Sequence, residues 1–359
     1  MLPTVDFDRE LRLAACEIDN VTADESLATE MRAGQRNVMT KPQPQHTLGI
    51  RRLRSHSLRK LSLAIDHRVR SKHIRHRLWT PTPDPSPQGR GEMTSLADWI
   101  GRTRTDAAVL DPEIARRYAA AMGLDLDVEA HFPALGHWAY FNDAAPPTEL
   151  GPDGHPKRGR FLPPVELPRR MFASATFAFA APLALGAPAE LVQTIAEVRE
   201  RSGRTGALVL VDVERRLSQA GALRLTEVQT IVYREAGEPT PPVVDAGAAG
   251  EGELWQPNTV DLFRYSAATY NSHRIHYDQS YVREAEGYPD LVVHGPFTAA
   301  RLCDLAARTA GAPLKAFSFR ALAPLFVNQP VRLRHGEGPN TVIAVRCDGQ
   351  TAVSATYET

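Results

Sequence analysis

The feature that most constrains the fold is a segment rich in proline and glycine, residues 236–254, which separates two stretches with similar predicted elements. Proline and glycine at this density interrupt helices and strands, so the segment is predicted to be a linker. Each side of it contains one helical pattern and several strand-like segments. The chain is therefore predicted to fold as two similar α+β halves, each a helix wrapped by an antiparallel sheet.

The first half is predicted to begin with a helix. Asp111 is a suitable N-cap, Pro112 suits the first helical position, and Gly123 can close a helix that reaches Met122. A loop rich in proline and glycine then covers residues 144–168. Strands are predicted after this loop at residues 176–179, 191–199, 207–217 and 223–234.

The second half is predicted to contain a short strand, a polar loop, one helix and a further set of strands. The short strand is placed at residues 261–265 and the helix at residues 296–310, where Leu302, Leu305 and Ala306 can share one face. The remaining strands are predicted at residues 315–319, 331–335, 341–347 and 352–357. Together they predict a curled antiparallel sheet around the helix.

Composition and charge exclude several broad classes of protein. The 359 residues suffice for two hydrophobic cores, and 42 basic residues balance 42 acidic ones. This balance gives no electrostatic reason to expect binding to nucleic acid or to an acidic membrane surface. No apolar run approaches the roughly 20 residues that a membrane span needs. We therefore expect neither a nucleic-acid partner nor a membrane partner.

The cysteines indicate the cellular compartment. Cys16, Cys303 and Cys347 form neither a disulfide framework nor a metal-ligand spacing, so no metal is expected. The N-terminus lacks the basic start and apolar core of a signal peptide. Both observations predict a reducing, cytoplasmic location.

Residues 1–92 are predicted to be an upstream extension that lies outside the fold. Residues 31–90 carry repeated Arg and Lys with little apolar periodicity, and residues 80–92 resemble the translation of an intergenic repeat common in bacterial genomes. Met93 then opens a segment typical of a natural start. The alternatives are a basic arm for nucleic acid or a transit peptide, and acidic residues near the start disfavour the transit peptide. Removing residues 1–92 is expected to leave folding and activity intact.

The most informative polar cluster lies in the second half, at residues 270–278 and 291–296. It contains His273, His276 and His294, with one apolar residue, Ile275, between the first two. Buried polar groups need partners, and a histidine near its neutral pKa suits proton transfer. The cluster therefore predicts a catalytic site. The alternative is a surface loop with solvated histidines, which the flanking apolar residues disfavour.

Residues 266–298 resemble the hydratase motif of MaoC-like enoyl-CoA hydratases, which have the hot-dog fold. That motif has an Asp, an Asn two positions later, a His five positions after the Asp, and a later His-Gly pair. In this chain the first three positions hold Asn271, His273 and His276, and the glycine is Gly295. The variant at residues 271–278 is similar to mesaconyl-C4-CoA and itaconyl-CoA hydratases and to mitochondrial type 2 hydroxyacyl-thioester dehydratases.

Segments of the first half extend this resemblance. The degenerate first hot-dog unit of the same proteins is similar to residues 137–141, 150–156 and 161–171. The resemblance covers residues 93–359 and implies an α+β double hot-dog fold. It implies a degenerate hot-dog unit, a linker and a catalytic hot-dog unit at residues 93–236, 237–254 and 255–359.

The resemblance also implies roles for the motif residues. A hydratase must stabilise the enolate-like oxygen that develops as water attacks the β-carbon, and must move a proton from water to the α-carbon. His276 is the expected base, and the backbone N–H of Gly295 at a helix N-terminus is the expected oxyanion donor. Asn271 departs from the motif, because an amide cannot accept a proton as a carboxylate can. It is expected to hold water and substrate by hydrogen bonds.

Other polar residues of the cluster are further candidates. Asp278 is an alternative carboxylate, because a strand-like backbone would place it on the same face as His276. Tyr277 is expected to pack, and His294 to form hydrogen bonds within the loop. His273 and His294 are also candidates for substrate binding.

The substrates of the similar hydratases carry a free carboxylate besides the thioester. Binding it calls for a bidentate arginine or several N–H donors. The candidate arginines are Arg274, Arg264, Arg169 and Arg170. For each of them the alternative is a solvated side chain or a contact with a CoA phosphate.

The resemblance implies a hydro-lyase that acts on acyl-CoA, needs no cofactor and forms a homodimer or a higher homo-oligomer. Two alternatives remain open. A 3-hydroxyacyl-ACP dehydratase of fatty acid synthesis would need a basic rim for its acidic carrier protein. A non-catalytic acyl-CoA-binding protein would fit the degenerate first half and the replacement at Asn271, but the presence of His276 and Gly295 disfavours it.

Overall fold

The computed structural model describes residues 95–359, except residues 125, 129, 130, 204 and 205. The extension predicted at residues 1–92 lies outside the described residues.

The first half contains one α-helix and five strands. Helix α1 has the bounds that its caps predict, because Asp111 accepts a hydrogen bond from the N–H of Glu113 and Gly123 ends the helix in the left-handed conformation. In chain order the elements are β1 (Thr103–Val109), α1 (Pro112–Met122), β2 (Arg169–Phe179), β3 (Pro188–Gly203), β4 (Gly206–Gln219) and β5 (Ala222–Arg234).

The second half contains three α-helices, a 3₁₀ turn at Arg274–His276, and five strands among the described residues. Among the described residues, no helix has the length and apolarity needed to cross a membrane. In chain order the elements are β6 (Glu253–Trp255), α2 (Thr259–Ala268), α3 (Gln279–Glu284), α4 (Gly295–Ala310), β7 (Ala316–Ala321), β8 (Val331–His335), β9 (Thr341–Arg346) and β10 (Thr351–Glu358).

The ten strands form one antiparallel sheet in the order β1-β3-β4-β5-β2-β7-β10-β9-β8-β6. The two halves meet where β2 pairs with β7, with Phe177 directly opposite Phe317. Helix α4 packs on β9 and β10, and its buried residues Phe297 and Leu302 join a core that also contains Phe177 and Phe317. The architecture is the α+β double hot-dog that the sequence predicts.

The strand predicted at residues 261–265 is wrong, because this segment belongs to helix α2. Asn258 accepts a hydrogen bond from the N–H of Asp261, whose carboxylate accepts one from the N–H of Asn258. This capping box fixes the first turn, and Leu262 and Tyr265, three residues apart, are both buried. Over so few residues, an apolar pattern does not separate a strand from a helix.

Two strands of the first half were predicted poorly. The strand at residues 176–179 is in the right place but too short, since β2 begins at Arg169. The arginines at its start favour a loop prediction, yet Arg169 is buried, with Nη2 donating to the backbone oxygen of Glu286 at 2.7 Å. Strand β1 was not predicted, because its residues alternate between exposed and half-buried positions and few are strongly apolar.

Candidate active site

A cleft of about 680 Å³ is lined by residues of both halves. The second half supplies one wall, which includes Tyr265 and Ser266 of α2, Asn271 of the polar loop, and Pro296 in the first turn of α4. The first half supplies the floor, where the lining residues are Trp138, Phe172, Gln193, Arg215 and Gln229. The cleft therefore combines apolar and polar side chains from both halves.

The polar loop, residues 270–278, is shaped by a hydrogen bond from its own backbone. Oδ1 of Asn271 accepts a hydrogen bond from the N–H of His273 at 3.0 Å, as in an Asx turn. One lone pair of the side-chain oxygen is therefore used, and the Nδ2 amino group is the donor that Asn271 can offer to the cleft. The 3₁₀ turn that follows places His276 in the interior, where it is 7% exposed.

His276 is held as a neutral imidazole. Its Nδ1–H donates a hydrogen bond to the backbone oxygen of Val292 at 2.7 Å, so Nε2 carries the lone pair. Burial lowers the pKa of His276 to about 3, although the bond to Val292 opposes this shift and the nearby His155 adds to it. The ring stacks on that of His294 with centroids 3.6 Å apart.

Helix α4 begins at the cleft without a side-chain cap. His294 occupies the N-cap position, but its Nε2 shares a hydrogen bond with Oγ of Ser266 at 2.8 Å, and no side chain bonds to the first N–H groups of the helix. Pro296 has no N–H, so the N–H of Gly295 is the donor next to this lining residue. The geometry suits the binding of a partial negative charge.

Four histidine rings form a row that crosses from the first half to the second. The ring of His155 lies 4.2 Å from that of His273, centroid to centroid, and His273 lies edge-on to His276 at 5.5 Å. His276 stacks on His294, which completes the row. His155 also lines the cleft. Burial is the main cause that lowers the pKa of each of the four, so all are neutral near pH 7.

A loop of the first half, residues 151–156, docks against the polar loop. The N–H of Arg274 donates to the backbone oxygen of Asp153 at 2.9 Å, and Oγ of Ser272 donates to the backbone oxygen of Gly154 at 2.5 Å. Gly154 is buried with φ +88°, and a Cβ placed on it would collide with the backbone oxygen of Ser272. Only glycine permits this approach.

Asp153 organises the side chains at this junction. Its carboxylate accepts hydrogen bonds from the N–H and Nδ1–H of His155, at 3.1 and 3.2 Å. Ligand atoms of Asp153, His155 and His273 lie within 4.8 Å of one another. The guanidinium of Arg170, 3.7 Å from Asp153, already balances the carboxylate charge. This arrangement favours a hydrogen-bonded polar cluster over a cation site.

The arginines predicted from the sequence do not line the main cleft. Nε and Nη2 of Arg274 donate to Asp278, and its Nη1 donates to a backbone oxygen. Arg169 is buried and bound to backbone oxygens near the linker, while Arg264 is exposed on α2. Arg170 lines a smaller neighbouring cavity of about 240 Å³.

Asp278 and Tyr277 also have defined surroundings. Asp278 caps helix α3 by accepting from the N–H of Tyr281, and this bond together with Arg274 lowers the pKa of its carboxyl. It is thus engaged by two partners and does not line the cleft. Tyr277 is half exposed at the cleft rim and donates to the backbone oxygen of Ser272.

Neither His276 nor Gly295 is among the described residues that line the cleft, although both are next to residues that do. The residues that the sequence prediction missed come from the first half, and they are His155, Gln193, Arg215 and Gln229. A signal for Arg215 was present. On β4 the buried positions alternate through Val211, Val213 and Leu217, and Arg215 stands among them as the one charged residue.

Comparison with known proteins identifies relatives over most of the chain. The sequence pattern of hydroxyacyl-thioester dehydratase type 2 matches residues 134–327. Mesaconyl-C(4)-CoA hydratase of Chloroflexus aurantiacus is 42% identical over 280 residues, which cover 74% of this chain and 99% of that protein. The mitochondrial hydroxyacyl-thioester dehydratase type 2 of Schizosaccharomyces pombe is 26% identical over 232 residues, which cover 57% and 77% of the two chains.

Solved structures share the fold. A MaoC-like dehydratase matches 74% of this chain and 100% of its own, with a TM-score of 0.54 and 15% identity. HtdX of Mycobacterium tuberculosis matches 71% and 99%, with a TM-score of 0.51 and 19% identity. The match to more than half of the chain, the 42% identity and the double hot-dog architecture agree. The chain therefore belongs to the type 2 hydroxyacyl-thioester dehydratases and has their double hot-dog fold.

Proposed function

We propose that this protein is a hydro-lyase that adds water reversibly across the double bond of a short unsaturated acyl-CoA with a free carboxylate. Mesaconyl-C4-CoA is the first candidate substrate and itaconyl-CoA the second, with citramalyl-CoA as the product. The identity to a mesaconyl-C(4)-CoA hydratase, over nearly all of that protein, supports this substrate class. The structural observation that carries the proposal is one cleft beside which an uncapped helix N-terminus, Asn271 and three buried histidines meet.

The N-terminus of α4 is the proposed oxyanion site. As water attacks the β-carbon, negative charge develops on the thioester oxygen, and donors fixed in advance stabilise that charge. The N–H of Gly295 has no side-chain competitor, and the 16 residues of α4 add the positive end of the helix dipole. Gly295 directly precedes the lining residue Pro296, so the thioester is placed at this part of the cleft.

His276 is the proposed proton carrier. The oxygen of water bonds to the β-carbon, its proton passes to Nε2 of His276, and the π electrons of the double bond move toward the thioester oxygen. The imidazolium then gives the proton to the α-carbon, which restores the carbonyl and the neutral histidine. The fixed Nδ1–H bond to Val292 keeps Nε2 as the reacting nitrogen.

Asn271 is proposed to position the water or the substrate. Its Oδ1 is bound to the N–H of His273, so its Nδ2 donates. A donor cannot remove a proton from water, which leaves His276 as the base in this scheme. The replacement of the motif carboxylate by an amide also keeps a negative charge away from an anionic substrate.

The neighbouring cavity of about 240 Å³ is proposed to receive the phosphates of CoA. It shares His155, Gln193 and Gln229 with the main cleft. Its basic lining residues are Arg104, Lys157, Arg158, Arg160 and Arg170. The proposed reaction consists of proton transfers and one C–O bond, so it calls for no cofactor beyond the CoA of the substrate. A cytoplasmic homo-oligomer is the proposed working form.

The direct test is hydration of mesaconyl-C4-CoA, followed as loss of the enoyl-thioester absorbance, with mass spectrometry to identify citramalyl-CoA. We expect the absorbance to fall to an equilibrium value with the unaltered protein and to stay unchanged with His276→Ala. Itaconyl-CoA and an enoyl-ACP of similar length are measured in parallel. Turnover of the ACP substrate alone would contradict the proposal and favour a dehydratase of fatty acid synthesis.

A further inference from the structure

The floor of the cleft contains a row of polar side chains on one face of the sheet. Arg215 in β4 lies directly opposite Gln193 in β3 and Glu227 in β5. Residues paired in this way project from the same face, and Gln229, two positions after Glu227, projects from that face too. Gln193, Arg215 and Gln229 all line the cleft.

Arg215 is the single arginine or lysine among the described residues that line the main cleft. Its side chain is 9% exposed. Nη1 donates to Oε2 of Glu227 at 2.8 Å, whereas Nε is buried with no hydrogen-bond partner in the described part of the chain. A buried N–H without a partner is costly, so an acceptor brought by a ligand would be favourable here.

Glu227 fixes the guanidinium in place. The buried carboxylate also accepts hydrogen bonds from Nε1 of Trp138 at 2.9 Å and from Nε2 of Gln229 at 2.6 Å, and it contacts Nε2 of His137 at 3.0 Å. Burial opposes ionisation, but Arg215 and His137 lower the pKa of Glu227 to about 2. The carboxylate is therefore charged, and it holds Nη1 of Arg215, whose side chain lines the cleft.

The other arginines are less suitable for a ligand in this cleft. Arg274 donates to Asp278 and to the backbone oxygen of Pro152, so its donors are used within the protein. Nε of Arg169 is buried without a hydrogen-bond partner, as in Arg215, but Arg169 does not line the cleft. Arg264 is exposed on α2 and outside the cleft lining. Arg170 faces the smaller cavity and pairs with Asp153.

Trp138 connects the polar floor to the proposed oxyanion site. Its indole N–H is bound to Glu227, and its ring meets that of Phe172 edge-on at a centroid distance of 5.9 Å. The backbone oxygen of Phe172 lies 3.7 Å from the position of a Cβ on Gly295. One aromatic layer thus separates Gly295 from the cluster that holds Arg215. This separation suits a short acyl group with a polar group at its far end better than a long apolar chain.

The amide nitrogens of Gln193 and Gln229 donate one N–H to Asp106 and Glu227, respectively, and each has a second N–H. We propose that Arg215, together with these second N–H groups, binds the free carboxylate of the acyl group. This makes the cleft selective for short dicarboxylic acyl-CoA thioesters. The inference rests on the proposed function for the identity of the thioester, but its test uses binding of thioesters that do not react. It assigns the carboxylate to the first half of the molecule, whereas the proposed chemistry lies in the second half.

The test compares succinyl-CoA with butyryl-CoA, which has a methyl group where succinyl-CoA has its carboxylate. Binding is measured by calorimetry with the full-length protein and with the double variant Arg215→Gln/Glu227→Gln. The double variant removes both charges of the buried pair, so no unpaired carboxylate remains to unfold the protein. We expect the unaltered protein to bind succinyl-CoA about 10- to 100-fold more tightly than butyryl-CoA, and the double variant to lose this preference.

Arg216→Gln is the matched control, because Arg216 is adjacent in sequence but exposed on the opposite face of β4. It should keep the preference for succinyl-CoA. A double variant that is folded by circular dichroism and retains the preference would overturn the assignment, as would an unaltered protein without any preference. If the proposed hydratase function is wrong but Arg215 does bind the carboxylate, the protein will bind succinyl-CoA tightly and selectively without hydrating mesaconyl-C4-CoA.

Discussion

The two halves of the molecule share one architecture but differ at the N-terminus of their main helix, which is capped by a side chain in only one of them. In the first half, the carboxylate of Asp111 closes the N-terminus of α1. In the second half, α4 begins next to the cleft with no side-chain cap. A capped terminus stabilises a helix, while an open one leaves N–H groups for a ligand. The comparison supports a structural role for α1 and agrees with the proposed catalytic role of the N-terminus of α4.

The halves also differ in their sheets. Strands β3, β4 and β5 of the first half have 16, 14 and 13 residues, whereas β7 to β10 have between 5 and 8. The long strands extend a face on which polar side chains form the cleft floor. The short strands enclose α4 and leave the polar loop at the edge of the cleft. Substitutions in each half can test these different roles, and they are given in decreasing order of their expected effect on turnover or stability.

The largest effect is expected for His276→Ala in the second half. Loss of the proposed base should lower kcat about 10²- to 10⁴-fold, measured as hydration of mesaconyl-C4-CoA. His335→Ala is the control, because His335 is an exposed histidine at the end of β8. Normal turnover by a folded His276→Ala variant would remove the catalytic assignment of the second half.

Substitution of Asn271 should have a smaller effect. Asn271→Ala removes the Nδ2 donor and the bond to the N–H of His273, and we expect kcat/KM to fall about 10- to 100-fold. Asn271→Asp keeps the acceptor for His273 but removes the donor and adds a charge that repels an anionic substrate, so a similar fall is expected. Activity that rises in Asn271→Asp would show that a carboxylate can take part in proton transfer here.

The contact between the halves can be tested at Gly154. Gly154→Ala forces a Cβ against the backbone oxygen of Ser272, while Gly159→Ala introduces the same left-handed strain with its nearest neighbour at 3.6 Å. We expect Gly154→Ala to lower the free energy of unfolding by about 1–3 kcal/mol more than Gly159→Ala. It should also reduce hydratase activity, because the polar loop is displaced. Equal stability of the two variants in urea would mean that the loops can separate without cost.

Helix α1, which has a side-chain cap, tests whether a helix of the first half affects stability without affecting turnover. Asp111→Ala removes the side-chain bond to the N–H of Glu113 and should cost about 1 kcal/mol of stability, measured by thermal or urea unfolding. Activity per folded molecule should not change. A loss of turnover without a loss of stability would contradict the view that α1 serves only the fold.

The smallest effect, counted per residue, is the dependence of stability on pH. Burial lowers the pKa of His155 to about 4 and that of His276 to about 3, below the ordinary value near 6.5. Between these values the unfolded chain binds more protons than the folded protein, so the free energy of unfolding falls as the pH is lowered. Each histidine should contribute about 1 kcal/mol between pH 7.5 and 5.5.

Urea unfolding at several pH values checks this sign. His276→Gln should lose less stability than the unaltered protein over the same pH interval. An equal or steeper loss in His276→Gln would mean that His276 is protonated in the folded state.

Much of the fold could be predicted because its signals are local. The caps at Asp111 and Gly123 set the bounds of α1, and alternating residues placed three of the long strands of the first half. Helix α2 was predicted as a strand because only the short apolar run at residues 261–265 was considered. The capping box that marks the start of the helix begins before this run, at Asn258. The motif residues Asn271 and His276 were found because they are close in sequence.

The first-half side of the site could not be predicted in the same way. His155 and Arg215 reach the cleft only through the pairing of distant segments. The neighbours of His155 do not distinguish it from a solvated residue. The alternating apolar residues around Arg215 indicate that it is buried, but they do not indicate that it lines the cleft. Two of the arginines proposed from the sequence, Arg264 and Arg274, lie in or near the motif, and the other two, Arg169 and Arg170, lie at the start of β2. The arginine in the cleft lies on a strand whose register had to be known. Proximity along the chain was a poor guide to proximity in the cleft.

The pairing of β2 with β7 has a consequence for how the cleft responds to dilution. Because this pairing lies within one polypeptide, the two halves are present at an effective concentration fixed by the chain that connects them. Walls from both halves therefore stay together at any protein concentration, even where two separate hot-dog subunits would dissociate. Because each chain always carries both halves, the two halves can contribute different residues to the cleft.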